Sequence, residues 1–209
     1  VQFAVRLAST RFAKSWDKFR VRHWPKDRSV YRPIAYNNSM KDVVGRAEYK
    51  IADAAKALGV DFRGKVVLDI GSSTGGFTEF ALRNGADKVI AVEKGTGQMK
   101  APLRFAPEVE LHEKTDIFDF VPDEPVDLIL ADVSFISLRE VLAYARQFLA
   151  APGTEFFVML KPQFEAKPWQ LKNGVIKNNN VRREIIVEFE AWLKRNGYVM
   201  EGKRDNEVA

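Results

Sequence analysis

Residues Leu68 to Phe80 read LDIGSSTGGFTEF, an apolar run that ends in an acid and opens into a loop of glycines and hydroxyls. Strand, tight glycine turn and helix in that order make a site where backbone N–H groups and a helix N-terminus face a ligand. Asp69 ends the strand, Gly71 permits the turn, and Gly75 and Gly76 let ligand and helix backbone approach closely. Ser72, Ser73, Thr74 and Phe77 complete the expected cradle. Dinucleotide-binding proteins place G-x-G-x-x-G at this point. Here the order is G-S-S-T-G-G, without the second glycine of that fingerprint, so the turn alone does not name its ligand.

Outward from this loop, short β-branched runs alternate with longer helical patterns from about residue 46, which predicts crossover units and a mostly parallel sheet. Strands are expected at 65–70, 88–93, 109–113, 126–132, 155–160 and 197–202, and helices at 46–58, 75–84, 137–150 and 181–196. Continuous hydrophobicity in KVIAVE, VDLILAD and EFFVML implies burial on both faces, as in a doubly wound α/β fold. Residues 1–22 read as a basic helix with Phe3, Leu7, Phe12, Trp16 and Phe19 as its apolar residues. The stretch 23–40, with two prolines and an Asn pair, reads as an irregular arm.

Glu93 ends the second of these strands, 22 residues after Gly71, at the spacing where a carboxylate accepts from ribose hydroxyls. Asp116 lies just beyond the third strand, with Ile117 beside it, where it could accept from an adenine amine. A helix cap or an exposed carboxylate explains any one of these acids. Three acids at successive strand ends after a glycine turn point instead to an adenosine. Leu68 to Phe80 contains no basic residue and two acids, Asp69 and Glu79, which disfavours a pyrophosphate and suits a cationic head. S-adenosylmethionine carries a sulfonium and an ammonium, with one small carboxylate for the loop amides. It is the expected cofactor.

Of the 209 residues, 46% are hydrophobic, enough for one domain with an appendage. The absence of cysteine excludes disulfides, thiolate metal sites and a cysteine nucleophile. No apolar stretch nears the ~20 residues that span a bilayer, and the opening residues are too charged for a signal peptide, so a soluble, cytoplasmic protein is expected. Residues 1–50 hold twelve Lys and Arg against four Asp and Glu, whereas residues 51–209 hold 21 against 24. A basic front of this kind marks a polyanion partner such as RNA, and a solvated helix face explains the charges equally well. Trp16, Trp24, Tyr31 and Tyr36 among those charges could stack on bases.

GRAEYKIADA (45–54), LDIGSSTGGFTEFALRNGADKVIAVEKGTGQM (68–99), ADVSFISL (131–138) and LKPQFEA (160–166) together resemble the FtsJ-like RNA ribose 2'-O-methyltransferases. Within that group they look most like the TlyA hemolysin and ribosomal RNA methyltransferase branch. The resemblance covers roughly residues 44–205 and implies a Rossmann-like methyltransferase fold, S-adenosylmethionine as cofactor, no metal, and RNA as partner, either ribosomal RNA or a ribosomal subunit. It divides the chain into a basic N-terminal helix and arm at 1–44 and a methyltransferase domain at 45–209 that lacks its last strand. Such enzymes use a Lys-Asp-Lys-Glu tetrad, whose first three members map onto Lys50, Asp132 and Lys161. The glutamate belongs to a segment before the last strand that this sequence does not reach, and Glu207 does not stand in that motif.

The chemistry makes these residue types intelligible. Methyl transfer from a sulfonium is an in-line displacement, so most of the work is alignment. A ribose hydroxyl must lose its proton, and a lysine can take it only when neutral, a state that desolvation or a second ammonium promotes. The resemblance makes Lys161 the base, Lys50 the neighbouring cation, and Asp132 the group that orients Lys161 and faces the sulfonium. Six Lys or Arg between Lys161 and Arg183, against Glu165 alone, could form one wall of an RNA cleft or a solvated loop. Two alternatives stay open: a methyltransferase acting on a base amine, and a non-catalytic RNA-binding or hemolysin-like protein.

Overall fold

The computed structural model describes residues 2–9 and 46–206, with the side chains of 46–50 and 206 outside that description. The chain runs through β1 (Gln2–Ser9), α1 (Arg46–Ala57), β2 (Val66–Ile70), α2 (Gly76–Arg83), β3 (Lys88–Val92), β4 (Val109–His112) and β5 (Val126–Ala131). It continues through α3 (Leu138–Tyr144), β6 (Ala150–Leu160), α4 (Pro162–Glu165), α5 (Asn179–Arg195) and β7 (Tyr198–Asn206). The helix expected over 137–150 stops early: its last turn widens into a π-helix at Ala145–Leu149, and Ala150 already belongs to β6.

One seven-stranded sheet has the order β4-β3-β2-β5-β6-β1-β7, and the doubly wound α/β expectation holds. Pairs β2–β3, β2–β5, β3–β4 and β5–β6 are parallel. The two faces bury separate cores. Leu68, Ile70, Ile90, Ile129, Phe156 and Val158 meet α3 and Ile186, Phe189 and Leu193 of α5 on one side. Val67, Val89, Leu128, Leu130, Phe157 and Met159 meet Ile51, Ala54 and Ala55 of α1 and Phe77, Phe80 and Ala81 of α2 on the other. This is why the runs of β3, β5 and β6 read as largely unbroken apolar stretches.

The N-terminal reading needs correction. Residues Gln2–Ser9 are a strand, antiparallel to both β6 and β7, not the start of a helix. Phe3, Val5 and Leu7 face one core while Ala4 faces the other, a period of two that outweighs the looser helical spacing of Phe3, Leu7 and Phe12. Arg6 fixes the strand laterally, donating from Nη1 to the Leu58 and Gly59 carbonyls at 3.0 and 3.2 Å and pairing through Nη2 with Glu155 at 3.0 Å. Residues Gln2–Ser9 therefore belong to the sheet, between β6 and β7. The remainder of the basic arm, with Trp16, Trp24, Tyr31 and Tyr36, lies outside the described residues, as does Glu207.

Three features hold the glycine turn at the carboxyl end of β2. Gly71 donates its N–H to the Val92 carbonyl at 2.9 Å. Gly75 caps α2 with φ +93°, and a Cβ there would lie 2.5 Å from Leu103 Cδ2, so both backbone and space demand glycine. Asp69, 1% exposed, accepts from Thr78 Oγ1 at 2.6 Å and so ties strand to helix beneath the turn. Burial pushes the Asp69 carboxyl up to about 7, with the negative charges of Asp132 and Glu93 adding to the rise and the Thr78 hydrogen bond opposing it.

Two outcomes test this account. Leu7→Ala, in a fully buried strand residue, will cost about 2–5 kcal/mol in urea unfolding, whereas a position on a detached arm would cost under ~0.5 kcal/mol. Asp69 binds its proton more tightly folded than unfolded, so its contribution to stability falls as pH rises from about 4 to about 7. Asp69→Asn removes that loss, and its stability relative to the parent will rise across the same window in pH-dependent melts. A constant difference would contradict the assignment.

Candidate functional site

Beyond the carboxyl ends of β2, β3, β5 and β6 lies a cavity of about 750 Å³. It sits where the chain leaves β2 towards β3 on one side and β5 runs on the other, the switch point at which open α/β sheets bind ligands. The turn supplies Gly71, Ser72, Ser73, Thr74, Gly76 and Phe77. Glu93, Asp116 and Ile117 line the β3–β4 side, and Asp132 and Lys161 close the other. Of the residues singled out from the sequence, Asp69 and Gly75 stand behind the turn instead, bonded to Thr78 and packed on Leu103. Lys50 lies on α1, one residue before the buried Ile51, with its side chain outside the described residues.

Glu93 is already half engaged. Its Oε2 accepts from Ser73 N at 2.9 Å, and its Oε1 accepts from Gly95 N at 2.7 Å and Gln98 Nε2 at 3.3 Å, which fixes the carboxylate against the turn while Oε2 keeps a second lone pair. Ser73 reaches this contact with a positive φ of 49°. Asp116 caps a short 3₁₀ turn through Phe118 N and accepts from Lys94 Nζ at 2.8 Å. Lys94, with the Phe118 amide helping, holds the Asp116 carboxyl below the usual carboxylate range, so it is charged at neutral pH.

Lys161 follows β6 and is 7% exposed. Its Nζ stands 2.7 Å from Asp132 Oδ1 and donates to Ser134 Oγ at 2.9 Å and to the Asp132 carbonyl at 3.3 Å. The Oδ1 contact is an ion pair by distance but off the hydrogen-bonding direction, which leaves Oδ1 with unused acceptor capacity inside the site. Ser72 Oγ is likewise buried without a partner among the described residues. Buried polar atoms are rarely left so unless a ligand or water completes them. The lining carries Glu93, Asp116 and Asp132 against Lys94 and Lys161, and each lysine is spent on one of those acids.

Sequence reasoning missed the residues that hold the lysine in place. Glu165, on α4 four residues after Lys161, accepts from Ser137 Oγ at 2.7 Å and Leu138 N at 2.6 Å, with Arg139 at 3.4 Å. It thereby caps α3 and clamps the segment after Lys161 to the loop carrying Ser134. Burial raises the Glu165 carboxyl. Phe135 stands at the rim, 92% exposed, with a positive φ of 66° and its ring 5.3 Å from that of Phe164. DVSF and KPQFE were the signals available, but which of their side chains turn inward depends on the turn between them. Among the described residues no group of three or more His, Asp or Glu side chains could hold a metal ion, and no helix is long and apolar enough to cross a membrane.

Residues 43–200 match the FtsJ-like methyltransferase family. The chain is 34% identical over 167 residues to the 23S rRNA (cytidine-2'-O)-methyltransferase TlyA of Campylobacter jejuni, covering 79% of this chain and 65% of that protein. It is 36% identical over 159 residues to the 16S/23S rRNA (cytidine-2'-O)-methyltransferase TlyA of Mycobacterium tuberculosis, covering 74% and 59%. Among solved structures, a Lactococcus lactis protein bearing a hemolysin name superposes with a TM-score of 0.69 at 34% identity, over 74% of this chain and 76% of that one. The chain spans about three fifths of the length of the curated relatives it matches. By sequence match over most of its length and by its sheet, the chain belongs to the FtsJ-like methyltransferase family.

Proposed function

We propose that this protein is an S-adenosylmethionine-dependent methyltransferase acting on a ribose 2'-hydroxyl of RNA, with ribosomal RNA as substrate and the cytoplasm as its place of work. The observation that carries this reading is the buried Lys161 paired with Asp132 at the edge of an acidic cavity under a glycine turn. The names of the TlyA relatives, which specify cytidine 2'-O-methylation of ribosomal RNA, support the same substrate.

The residues present fit the cofactor. A cationic ligand suits a lining whose acids outnumber its bases, and the unpartnered Ser72 Oγ and Asp132 Oδ1 offer it polar contacts. The Thr74 and Gly76 amides of the turn would take its carboxylate, since those of Gly71, Ser72, Ser73 and Gly75 bond within the protein; Glu93 would take its ribose hydroxyls, and Asp116 and Ile117 its adenine. Bound there, it supplies an electrophilic methyl group on sulfur. Lys161 accepts the hydroxyl proton, Asp132 and Ser134 aim its amine, and Lys50 on α1 is the second cation that favours the neutral form of the base.

On the RNA side, Glu165 is the one acid among six Lys and Arg between residues 161 and 183, and its carboxylate is turned inward to cap α3. The outward face of that segment is therefore cationic. It carries Trp169, 77% exposed with the Lys167 ammonium 5.3 Å from its ring centroid, and such pairs grip unstacked bases and phosphates.

Lys161→Met will lower methyl transfer to ribosomal RNA at least about 100-fold, while calorimetry finds S-adenosylmethionine affinity unchanged. Digestion of the labelled product to nucleosides will give 2'-O-methyl nucleosides. Base-methylated products would replace this reading with amine methylation, and no cofactor binding at millimolar concentration would leave an RNA-binding role alone.

A further inference from the structure

β1 pairs with β6 in the register Phe3↔Leu160, Ala4↔Met159 and Val5↔Val158. The paired ladder ends at Leu160 with β6, and its register carried one position further sets Gln2 across from Lys161. Residues opposite each other in an antiparallel pair project to the same face. Phe3 and Leu160 belong to the core under α3 and α5, and Ala4 and Met159 to the core under α1. By alternation, positions 2 and 161 both face α1, the helix whose Lys50 precedes the buried Ile51.

Gln2 brings an unusual group to this place. Its Oε1 is buried and has no hydrogen-bond partner among the described residues. The chain offers Phe, Ala, Val and Leu at the next buried positions of the strand, so an apolar residue would fit the ladder without stranding an acceptor. A stranded acceptor on the strand beside β6, on the same sheet face as a lysine paired with Asp132, reads as one that is filled in the working state. On the proposed function, Lys161 must release part of its present set of contacts when it turns its lone pair to a ribose hydroxyl.

We propose that Gln2 is a positioning residue of this site, whose amide oxygen accepts a hydrogen from the neutral Lys161 amine and so keeps the lone pair aimed at the substrate. The inference rests on the methyltransferase reading. A neutral acceptor suits the task. A second carboxylate beside that of Asp132 would favour the protonated form further, and that form cannot act as base.

Gln2→Glu and Gln2→Leu separate this role from a merely structural one. In Gln2→Glu the added charge stabilises the ammonium, so the rise of kcat with pH will move upward by about one unit, giving roughly a tenfold loss at pH 7 that recovers in alkali. In Gln2→Leu, kcat will fall about tenfold at every pH, with the cofactor Kd unchanged and the urea midpoint equal or higher, since a buried unpaired acceptor is removed. A structural glutamine would instead show a lowered midpoint and an unmoved pH profile. Titration of the ¹³Cε-lysine resonances, with Lys161 assigned through Lys161→Arg, reads the coupling without turnover, and the Lys161 midpoint will rise in Gln2→Glu. An unmoved Lys161 resonance overturns the role of Gln2 even if methylation is normal. A moved resonance in a protein that methylates no RNA retains the Gln2–Lys161 coupling and overturns the proposed function.

Discussion

The carboxyl end of β2 is the constraint from which the site follows. Its neighbours on the two sides are β3, reached by one crossover, and β5, reached only after the chain has passed through β4 and returned. Because those two excursions leave in opposite directions, nothing of the sheet continues above β2, and a crevice opens that no side-chain choice could create. The sequence only has to furnish it. Glycines 71, 75 and 76 let the backbone fold back along the floor, Glu93 arrives at one wall because β3 stops there, and Asp132 at the other because β5 does.

Electrostatically, the site is a balance of acids kept close together. Asp69 escapes mutual repulsion by taking up a proton at near-neutral pH, an outcome its burial enforces. Asp116 stays charged because Lys94 lies against it, and Asp132 has the Lys161 ammonium 2.7 Å from its Oδ1. Burying an ammonium is costly unless it is paired and hydrogen-bonded. Asp132 and Ser134 meet that need, and the Glu165 clamp keeps both loops in place while they do so.

Much of this arrangement is legible in the sequence, and the misses have physical causes. β3, β5 and β6 declare themselves because strands buried on both faces have to be continuously apolar, and the turn because positive φ at Gly71 and Gly75, with close packing at Gly75, admits little but glycine. Asp69 is visible as an acid at a strand end, but only packing reveals that its partner is Thr78 and not a ligand. Glu165 and Ser134 sit within motifs that stand out, yet their roles come from a contact between loops 27 or 28 residues apart. β1 was misread because Phe3, Val5 and Leu7 form too short an alternation to outweigh the aromatic residues that follow, and because nothing local says that its partners are β6 and β7.

That last pairing shapes how the polypeptide reaches its final form. β1 leaves the ribosome long before either strand that will flank it, since Phe3 must find Leu160 and Gln2 must find Asn206. Loop closure across most of the chain length has to precede these contacts. Closing the gap between β6 and β7 is therefore a late event in biosynthesis, and until it happens two long strand edges stand open to wrong partners. The Arg6 pairings to Glu155 and to the Leu58 and Gly59 carbonyls act as a latch that rewards arrival of the correct strand in the correct register.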